Sequence, residues 1–221
     1  MEFNRQYMIY NPKEQKLNIT IIGAGSTGSF IALNLAKMGV ENIRVIDFDI
    51  VEKHNIPNQF YRLKDVGKKK VDALKSIIKD FTGLSIEAED SKIDKDYDFD
   101  VSSASVIICC VDSMECRKMI YDLLKDFPLR YIDTRFGGEG YSIHNIDLFN
   151  EDESDNYKKS MDAPTKETTC GSKAIIYTIL SLASEVCNIV KRIDKGEENP
   201  ELLRRELKVY RFIEKKSKLR K

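Results

Sequence analysis

The sequence predicts an α/β fold in which a doubly wound, mostly parallel sheet carries helices on both faces. Short apolar segments rich in β-branched residues alternate along the chain with segments whose apolar residues recur at helical spacing. The continuous apolar run VIICCV, residues 106–111, is typical of a strand that is covered on both faces in the interior of a parallel sheet. A glycine-rich turn joins the first predicted strand to the first predicted helix.

The first predicted unit is strand, turn, helix and strand. LNITII, from Leu17 to Ile22, is a short β-branched segment that predicts a strand, and it leads into GAGSTGS. The following FIALNLAKM has the apolar content of a buried helix, which Gly39 ends. NIRVIDF then supplies the second strand, so these residues predict a βαβ unit of about thirty residues.

The rest of the chain continues the alternation. Helices are predicted at about 69–79, 114–125 and 172–193, and strands at 85–93, 106–111, 129–133 and 140–148. The polar and acidic stretch 150–170 between them predicts a long functional or disordered loop. We therefore divide the chain into an arm (1–16), a main domain (17–194) that contains this loop, and a charged, solvated extension (195–221).

Composition excludes several classes of function. The chain has 221 residues, with 36 Lys+Arg against 36 Asp+Glu, so no overall charge draws it to nucleic acid or to an anionic membrane surface. Its apolar runs are far shorter than the ~18 residues of a membrane span. We expect a soluble, cytoplasmic protein. The cysteines form no C-x-x-C pair, so neither a disulfide framework nor a structural zinc site is expected; they are Cys109, Cys110, Cys116, Cys170 and Cys187.

The glycine turn predicts a nucleotide site in a Rossmann-like fold. Gly23, Gly25 and Gly28 form G-x-G-x-x-G directly after a strand and at the start of a helix. Glycine allows a close approach of the backbone, and the free N–H groups of the helix start can bind phosphate oxygens. Asp47 ends the second strand, where an acidic residue hydrogen-bonds ribose hydroxyls.

Two kinds of nucleotide chemistry fit this loop. A nicotinamide dinucleotide needs a proton donor such as histidine, whereas ATP needs cations for its phosphates and a carboxylate for magnesium. The cations and carboxylates favour ATP: Lys70 opens a helix and Asp112 ends the apolar fourth strand. His144 lies within a predicted strand, where a structural role is favoured over a catalytic one. A NAD-dependent oxidoreductase and a non-catalytic nucleotide-binding module remain the alternatives.

The motifs resemble those of the ThiF/MoeB family, the adenylating enzymes related to ubiquitin-activating enzymes. The resemblance rests on FNRQY in the arm, on GAGSTGS, on DFDIVEKHNIPNQ, on a lysine three residues after Gly67, and on VDSMECR. The resemblance assigns the main domain as an adenylation domain with the crossover loop at 150–170. It implies the following roles: Arg5 reaches the nucleotide site of the other subunit, Asp47 binds ribose, Asn55 lies near the phosphates, Lys70 binds phosphate, and Asp112 holds Mg²⁺ beside Ser113, which replaces the usual asparagine.

One departure from the family pattern concerns phosphate binding. Asn58 precedes Gln59 where the family has arginine before glutamine, so one cationic contact is missing. Arg62, one turn further on, is our candidate for its replacement.

The resemblance implies ATP-dependent adenylation of the C-terminal glycine of a small ubiquitin-like protein by a homodimer. Activation of a sulfur carrier for thiamine or molybdopterin biosynthesis is the alternative within this class. Cys170 precedes a predicted helix, whose N-terminus would lower the thiol pKa and favour the thiolate. It resembles the family's acceptor for a thioester, from which a conjugating enzyme would take the product, although a merely capping role is equally compatible.

The segment IDTRFGGEGY allows two interpretations. Asp133, Arg135 and Glu139 lie near the carboxyl end of the fifth predicted strand, on the same edge as the nucleotide. They could guide the extended tail of a protein substrate. Alternatively, an ion pair between Arg135 and Glu139 would brace the glycine turn between them.

Overall fold

The computed structural model describes residues 1–101, 106–162 and 175–208, and all of the following concerns these residues. The strands are β1 (Ile19–Ile22), β2 (Ile43–Ile46), β3 (Glu87–Glu89), β4 (Val106–Cys109), β5 (Arg130–Gly137), β6 (Gly140–Asp147) and β7 (Leu202–Glu206). The helices are α1 (Ser26–Met38), α2 (Lys70–Thr82), α3 (Met114–Leu124), α4 (Glu151–Asp162) and α5 (Ile176–Asp194). Of the helices in these ranges, none has the length and apolar character needed to cross a membrane.

The strands form one sheet in the order β3-β2-β1-β4-β5-β6-β7. β1 to β5 run parallel, while β6 and β7 are antiparallel additions. The chain moves outward from β1 to β3 and then returns to β4 on the other side of β1, which creates a topological switch point between β1 and β4. The predicted doubly wound, mostly parallel α/β fold is confirmed.

The two faces of the sheet are covered by different helices. Ile21 packs in the layer that contains α1, α2 and α5, whereas its neighbour Ile22 packs in the layer that contains α3 and α4. This alternation follows from the two-residue period of a strand, which points successive side chains to opposite faces. All four residues of β1 are buried, so the strand that leads to the glycine turn is rigidly held.

The arm packs against the far end of α1. Gly39 ends the helix with φ +93, and Phe3 and Pro12 lie so close to it that a Cβ atom there would be 2.5 Å from Cβ of Pro12. Gln6 Nε2 donates to the carbonyl oxygen of Met38 at 2.7 Å. The arm is therefore fixed at the C-terminal end of α1, one helix length from the glycine turn.

The prediction of a loop over residues 150–170 is wrong for its first half, because Glu151–Asp162 form α4. Its composition is polar, but Tyr157 and Met161 are one turn apart and both are buried. Asn150 supports the helix start, since its Oδ1 accepts from the N–H of Asp152 at 3.1 Å. Two buried side chains in twelve residues give too weak a periodicity to be recognised in the sequence. Residues 163–170 lie outside the described residues.

The region predicted as a charged, solvated extension contributes β7. Leu202–Glu206 pair antiparallel with β6, with Leu203 opposite Ile143. Most of these side chains are exposed, so the strand is held mainly by backbone hydrogen bonds at the edge of the sheet. Such a strand carries no apolar alternation, which explains why the sequence does not predict it.

Candidate nucleotide site at the carboxyl edge of the sheet

The glycine turn lies between β1 and α1, at the switch point of the sheet. The N–H of Gly23 donates to the carbonyl oxygen of Ile46 at 2.8 Å, which ties the turn to β2. Gly23 has φ +97, a conformation that side chains disfavour, and a Cβ there would lie 3.0 Å from the carbonyl oxygen of Cys110. The segment directly after β4 therefore lies against the turn.

Gly28 and Gly25 have different reasons to be glycine. A Cβ on Gly28 would lie 1.9 Å from the carbonyl oxygen of Gly23, so only glycine lets α1 approach the turn this closely. A Cβ on Gly25 would have no atom within 4 Å. No neighbouring protein atom therefore requires glycine at this position. Because Gly25 lies at the start of α1, the space beside it can hold a ligand at the helix N-terminus.

Asp47 lies against the glycine turn. Its Oδ2 accepts from the N–H of Ala24 at 2.6 Å, and its Oδ1 accepts from the N–H of Asp49 at 2.7 Å. Burial raises the pKa of Asp47, while the charge of Lys70 opposes that rise. Each carboxylate oxygen can accept a further hydrogen bond, so Asp47 can also accept hydrogen bonds from the hydroxyl groups of a ribose.

A segment after β2 covers the glycine turn. The hydroxyl of Tyr61 donates to the carbonyl oxygen of Ala24 at 2.6 Å, and the N–H of Phe60 donates to Oγ of Ser29 at 3.0 Å. Asn55 is buried, and its Oδ1 accepts from the N–H of Glu52 at 2.8 Å. These bonds join the turn to the segment that contains Asn55. The sequence gives no signal for Tyr61, whereas Ser29 stands within GAGSTGS and its role could have been suspected.

Lys70 is held at the start of α2 by Asp49. The N–H of Lys70 donates to the carbonyl oxygen of Asp49 at 2.9 Å, and its Nζ lies 2.7 Å from Oδ2 of the same residue. Lys70 is only 6% exposed. Because Asp49 also donates its N–H to Asp47, one residue links the buried amine to the carboxylate at the turn. Asp49 was not among the predicted site residues, although it stands two residues after Asp47 in DFDIVEKHNIPNQ.

Asp112 and Ser113 follow β4 at the same edge. Both are exposed. Ser113 is the N-cap of α3, and its Oγ accepts from the N–H of Cys116 at 3.3 Å. Because Cys109 in β4 lies opposite Ile22 in β1, the two parallel strands deliver Asp112 and the glycine turn to neighbouring positions. The structure thus brings Gly23, Asp47, Lys70 and Asp112 to one edge.

The side chain of Arg62 forms ion pairs with two aspartates. Its Nε donates to Oδ2 of Asp65 at 2.7 Å, and its Nη1 donates to Oδ2 of Asp80 at 2.8 Å. Although burial raises the pKa of Asp65, hydrogen bonds from Arg62 and Lys68 hold it at about 2. In this structure Arg62 is paired with Asp65 and Asp80, and its predicted contact with a phosphate stays a prediction.

Arg5 is not brought to the glycine turn of its own chain. It is exposed on the arm, beside Gln6, which is bonded to the last residue of α1. The thirteen residues of α1 separate that position from the turn by about 20 Å. Cys170 lies outside the described residues, so its predicted role at a helix N-terminus has no structural account.

The surroundings of the described cysteines make their thiols poor nucleophiles. Burial raises the pKa of the thiols of Cys110 and Cys187 to about 12. Cys109 is fully buried in β4, and Cys116 is half-buried in α3 with a pKa that burial also raises. These four residues therefore lie at positions that disfavour the thiolate.

Arg135 does not pair with Glu139 in the described part of the chain. Its Nε donates to Oδ2 of Asp133 at 2.7 Å, and its Nη1 donates to the carbonyl oxygen of Ser160 at 3.2 Å. Glu139 instead lies 4.0 Å from Nζ of Lys208. The ion pair that the sequence suggested across the glycine turn is wrong, and Arg135 connects β5 to α4.

His144 is a buried structural histidine. It is 6% exposed in β6, with its ring 5.4 Å from that of Tyr157. Burial, together with the charges of Arg135, Arg204 and Arg117, lowers the pKa of His144 to about 3. The side chain is therefore neutral at physiological pH, as its predicted structural role requires.

We expect His144 to make the protein acid-sensitive. The unfolded chain binds a proton near pH 6.5 and the folded chain only near pH 3, so stability falls as the pH falls between these values. From pH 7 to pH 5 the free energy of unfolding should fall by about 2 kcal/mol. Urea unfolding at both pH values measures this loss. This loss of stability should vanish in His144→Leu and persist in His54→Asn. An unchanged loss in His144→Leu would show that His144 is not its cause.

Comparisons with known proteins agree with this architecture. The sequence profile of the ThiF family matches residues 3–218. The chain is 37% identical over 119 residues to the NEDD8-activating enzyme E1 catalytic subunit of Dictyostelium discoideum. This match covers 52% of this chain and 27% of that protein. It is 35% identical over 111 residues to the adenylyltransferase and sulfurtransferase uba4 of Neosartorya fischeri, covering 50% and 21%. The chain thus spans about a quarter of the length of these curated relatives.

Solved structures share the fold at low sequence identity. PaaA superposes with a TM-score of 0.70 and 21% identity, covering 90% of this chain and 73% of that chain. E. coli MccB solved with ATP superposes with a TM-score of 0.66 and 18% identity, covering 85% and 59%. Since the family profile spans nearly the whole sequence, and the glycine turn, Asp47, Lys70 and Asp112 share one edge of the sheet, the chain belongs to the ThiF family.

Proposed function

We propose that this chain is an ATP-dependent adenylyltransferase that activates the C-terminal glycine of a small ubiquitin-like protein. The observation that carries the proposal is the assembly at the switch point of the sheet. A phosphate-binding turn, the carboxylate of Asp47 and the buried amine of Lys70 are joined there by hydrogen bonds through Asp49. The names of the relatives, a NEDD8-activating enzyme and an adenylyltransferase, support the choice of reaction and substrate class.

The chemistry needs positioning and charge more than a strong base. The terminal carboxylate of the substrate is already ionised at pH 7 and can attack the α-phosphate of ATP. An acyl-adenylate forms as the bond to pyrophosphate breaks, and the pyrophosphate carries away the negative charge. Lys70 would stabilise the charge that develops on the phosphates, because an amine held away from bulk water acts more strongly than an exposed one. Asp47 would orient the nucleotide through its ribose.

Asp112 fits a role in holding Mg²⁺. It is an exposed carboxylate next to the glycine turn, and it forms no ion pair within the described residues. Magnesium in nucleotide sites takes one or two protein carboxylates and obtains its other ligands from phosphates and water, so one such residue is compatible with the ion. When bound, the ion would neutralise phosphate charge. Ser113 would contribute its hydroxyl beside it.

The fate of the product has two candidates. Conjugation would use a thioester on Cys170 and then a conjugating enzyme, whereas sulfur transfer would pass the activated carrier to a biosynthetic pathway such as that of thiamine or molybdopterin. The name of the NEDD8-activating relative supports the first candidate, and the name of the uba4 relative, which includes sulfurtransferase, supports the second. We place the protein in a reducing, cytoplasmic compartment, which the four free cysteines of the described residues support.

Pyrophosphate–ATP exchange tests the proposed reaction. Exchange that depends on a ubiquitin-like protein ending in glycine, and that is lost when its last residue is removed, supports it. ATP binding without exchange would indicate a nucleotide-binding module, and reduction of a nicotinamide cofactor would indicate an oxidoreductase. A thiol-sensitive adduct that is lost in Cys170→Ser would favour the conjugation route.

We also propose a homodimer in which Arg5 acts on the nucleotide site of the partner subunit. The position of Arg5 supports this proposal, because the arm is fixed about one helix length from the glycine turn of its own chain. An arginine side chain is much shorter than that separation. In a symmetric dimer, each arm can instead reach the other subunit's turn.

Mixing two inactive variants tests the contribution in trans. Lys70→Ala and Arg5→Ala should each lose exchange activity, but in a mixed dimer one site combines an intact Lys70 with an intact Arg5. Because half of the randomly mixed chains pair as heterodimers with one such site, we expect about a quarter of wild-type activity. Exchange rates measured after refolding the two variants together report this recovery. Recovery no greater than the sum of the separate variants would contradict the arrangement.

A further inference from the structure

A buried charged network lies between β5, α3 and α4, beside the nucleotide edge. Asp133 is fully buried and accepts hydrogen bonds from Nη1 of Arg117, from Nε of Arg135 at 2.7 Å, and from the hydroxyl of Tyr157 at 3.0 Å. Arg117 is itself only 5% exposed. Buried charges of this kind are costly unless they are fully paired, so the position of the Arg117 guanidinium is narrowly defined.

Arg117 also holds the turn that carries Asp112. Its Nη2 donates to the carbonyl oxygen of Val111, the residue directly before Asp112. Its N–H donates to the carbonyl oxygen of Ser113 at 3.1 Å, in the first turn of α3. One residue therefore contacts the backbone on both sides of Asp112, while Asp112 itself remains exposed.

The other end of the network is fixed to α4. Nη1 and Nη2 of Arg135 lie 3.2 Å and 3.3 Å from the carbonyl oxygen and Oγ of Ser160. The guanidinium also lies over the ring of Tyr157, 5.4 Å from its centre. The helix is thus bonded to Asp133 twice, once through the hydroxyl of Tyr157 and once through Arg135.

We propose that Arg117 is a positioning residue for the metal–nucleotide complex. It fixes the turn after β4 so that the carboxylate of Asp112 faces the phosphates, and Asp133 and Tyr157 hold its guanidinium in place. This inference rests on the proposed ATP site, with Asp112 as the metal-binding residue. Arginine suits the role because its planar fork bonds Val111 and Asp133 at once, whereas the ammonium of lysine is a point charge that cannot reproduce this geometry.

The test compares the affinity for ATP in Mg²⁺ with the affinity in EDTA, measured by calorimetry. The ratio reports the metal contribution and needs no catalysis. In Arg117→Lys we expect the Mg²⁺ preference to fall at least about fivefold, whereas the affinity in EDTA should stay within about twofold, because the glycine turn and Asp47 are untouched. Arg130→Lys is the matched control, since Arg130 is a half-exposed residue of β5 paired with Asp147 and Glu153.

The outcomes separate this inference from the proposed function. An unchanged Mg²⁺ preference in Arg117→Lys, or equal losses in Mg²⁺ and in EDTA, would overturn the positioning role. A wild-type protein that binds ATP with a Mg²⁺ preference but catalyses no exchange would overturn the proposed reaction and leave the binding test valid. Absence of any Mg²⁺ preference in the wild type would overturn the inference.

Tyr157→Phe decides the question if Arg117→Lys does not fold. This change removes only the hydroxyl that bonds Asp133 and keeps the ring packed. A fall of about twofold or more in the Mg²⁺ preference, with unchanged affinity in EDTA, supports the network. No change in either affinity would overturn it.

Discussion

Replacement of Lys70 by methionine should reduce pyrophosphate–ATP exchange by about 100-fold or more. Methionine keeps much of the volume of the buried stem and removes the only group that can meet phosphate charge from this position. Asp49, which lies 2.7 Å from Nζ of Lys70, is half-exposed and can be solvated after the change. The loss should therefore appear in the chemical step and not in the fold.

The neighbouring lysine provides a matched control for this prediction. Lys69 is exposed, and its Nζ lies 3.2 Å from Oδ2 of Asp90; exposed pairs of this kind contribute little to stability. Lys69→Met should keep exchange within about twofold of wild type. Thermal unfolding of both variants within a few degrees of wild type would show that the fold is intact. Exchange that is equally reduced in Lys69→Met would mean that general positive charge, and not the position of Lys70, matters.

The sequence predicts the elements that carry a strong hydrophobic pattern. β1, β4 and α5 are rich in apolar residues, and all lie close to their predicted positions. The pattern fails for α4, where Tyr157 and Met161 alone are buried among charged residues, and for β7, which is held by backbone bonds at a sheet edge. In both cases the stabilising contacts come from distant parts of the chain, which a local pattern does not report.

The candidate site shows the same division. The glycine motif, Asp47 and Lys70 are recognisable because each has a characteristic residue type at a characteristic distance from a strand. The sequence does not identify Asp49 as a site residue, because its role depends on a lysine 21 residues away. The bond between Arg117 and Asp133 cannot be predicted from the sequence, because it joins a helix to a strand whose relative position only the fold defines. Residues that position others are thus harder to find in a sequence than residues that meet the ligand.

Replacement of Gly28 by alanine should destabilise the whole domain. The new Cβ would lie 1.9 Å from the carbonyl oxygen of Gly23, a backbone atom that cannot rotate away, and 3.2 Å from Cγ2 of Ile21. Either α1 or the glycine turn must move, and α1 is packed against α5 in the core. We expect a loss of about 3 kcal/mol in the free energy of unfolding, which lowers the melting temperature by roughly 10 °C in a domain of this size.

Gly25→Ala is the contrasting variant in the same turn. Its Cβ would meet no protein atom within 4 Å, so the loss of stability should stay below about 1 kcal/mol, well under the loss expected for Gly28→Ala. The methyl group would instead project where a phosphate approaches the start of α1, so ATP affinity should fall although the fold is intact. Calorimetry with ATP and thermal unfolding separate the two effects. If Gly25→Ala binds ATP as tightly as wild type, the nucleotide does not lie against this turn, and Gly28 serves helix packing alone.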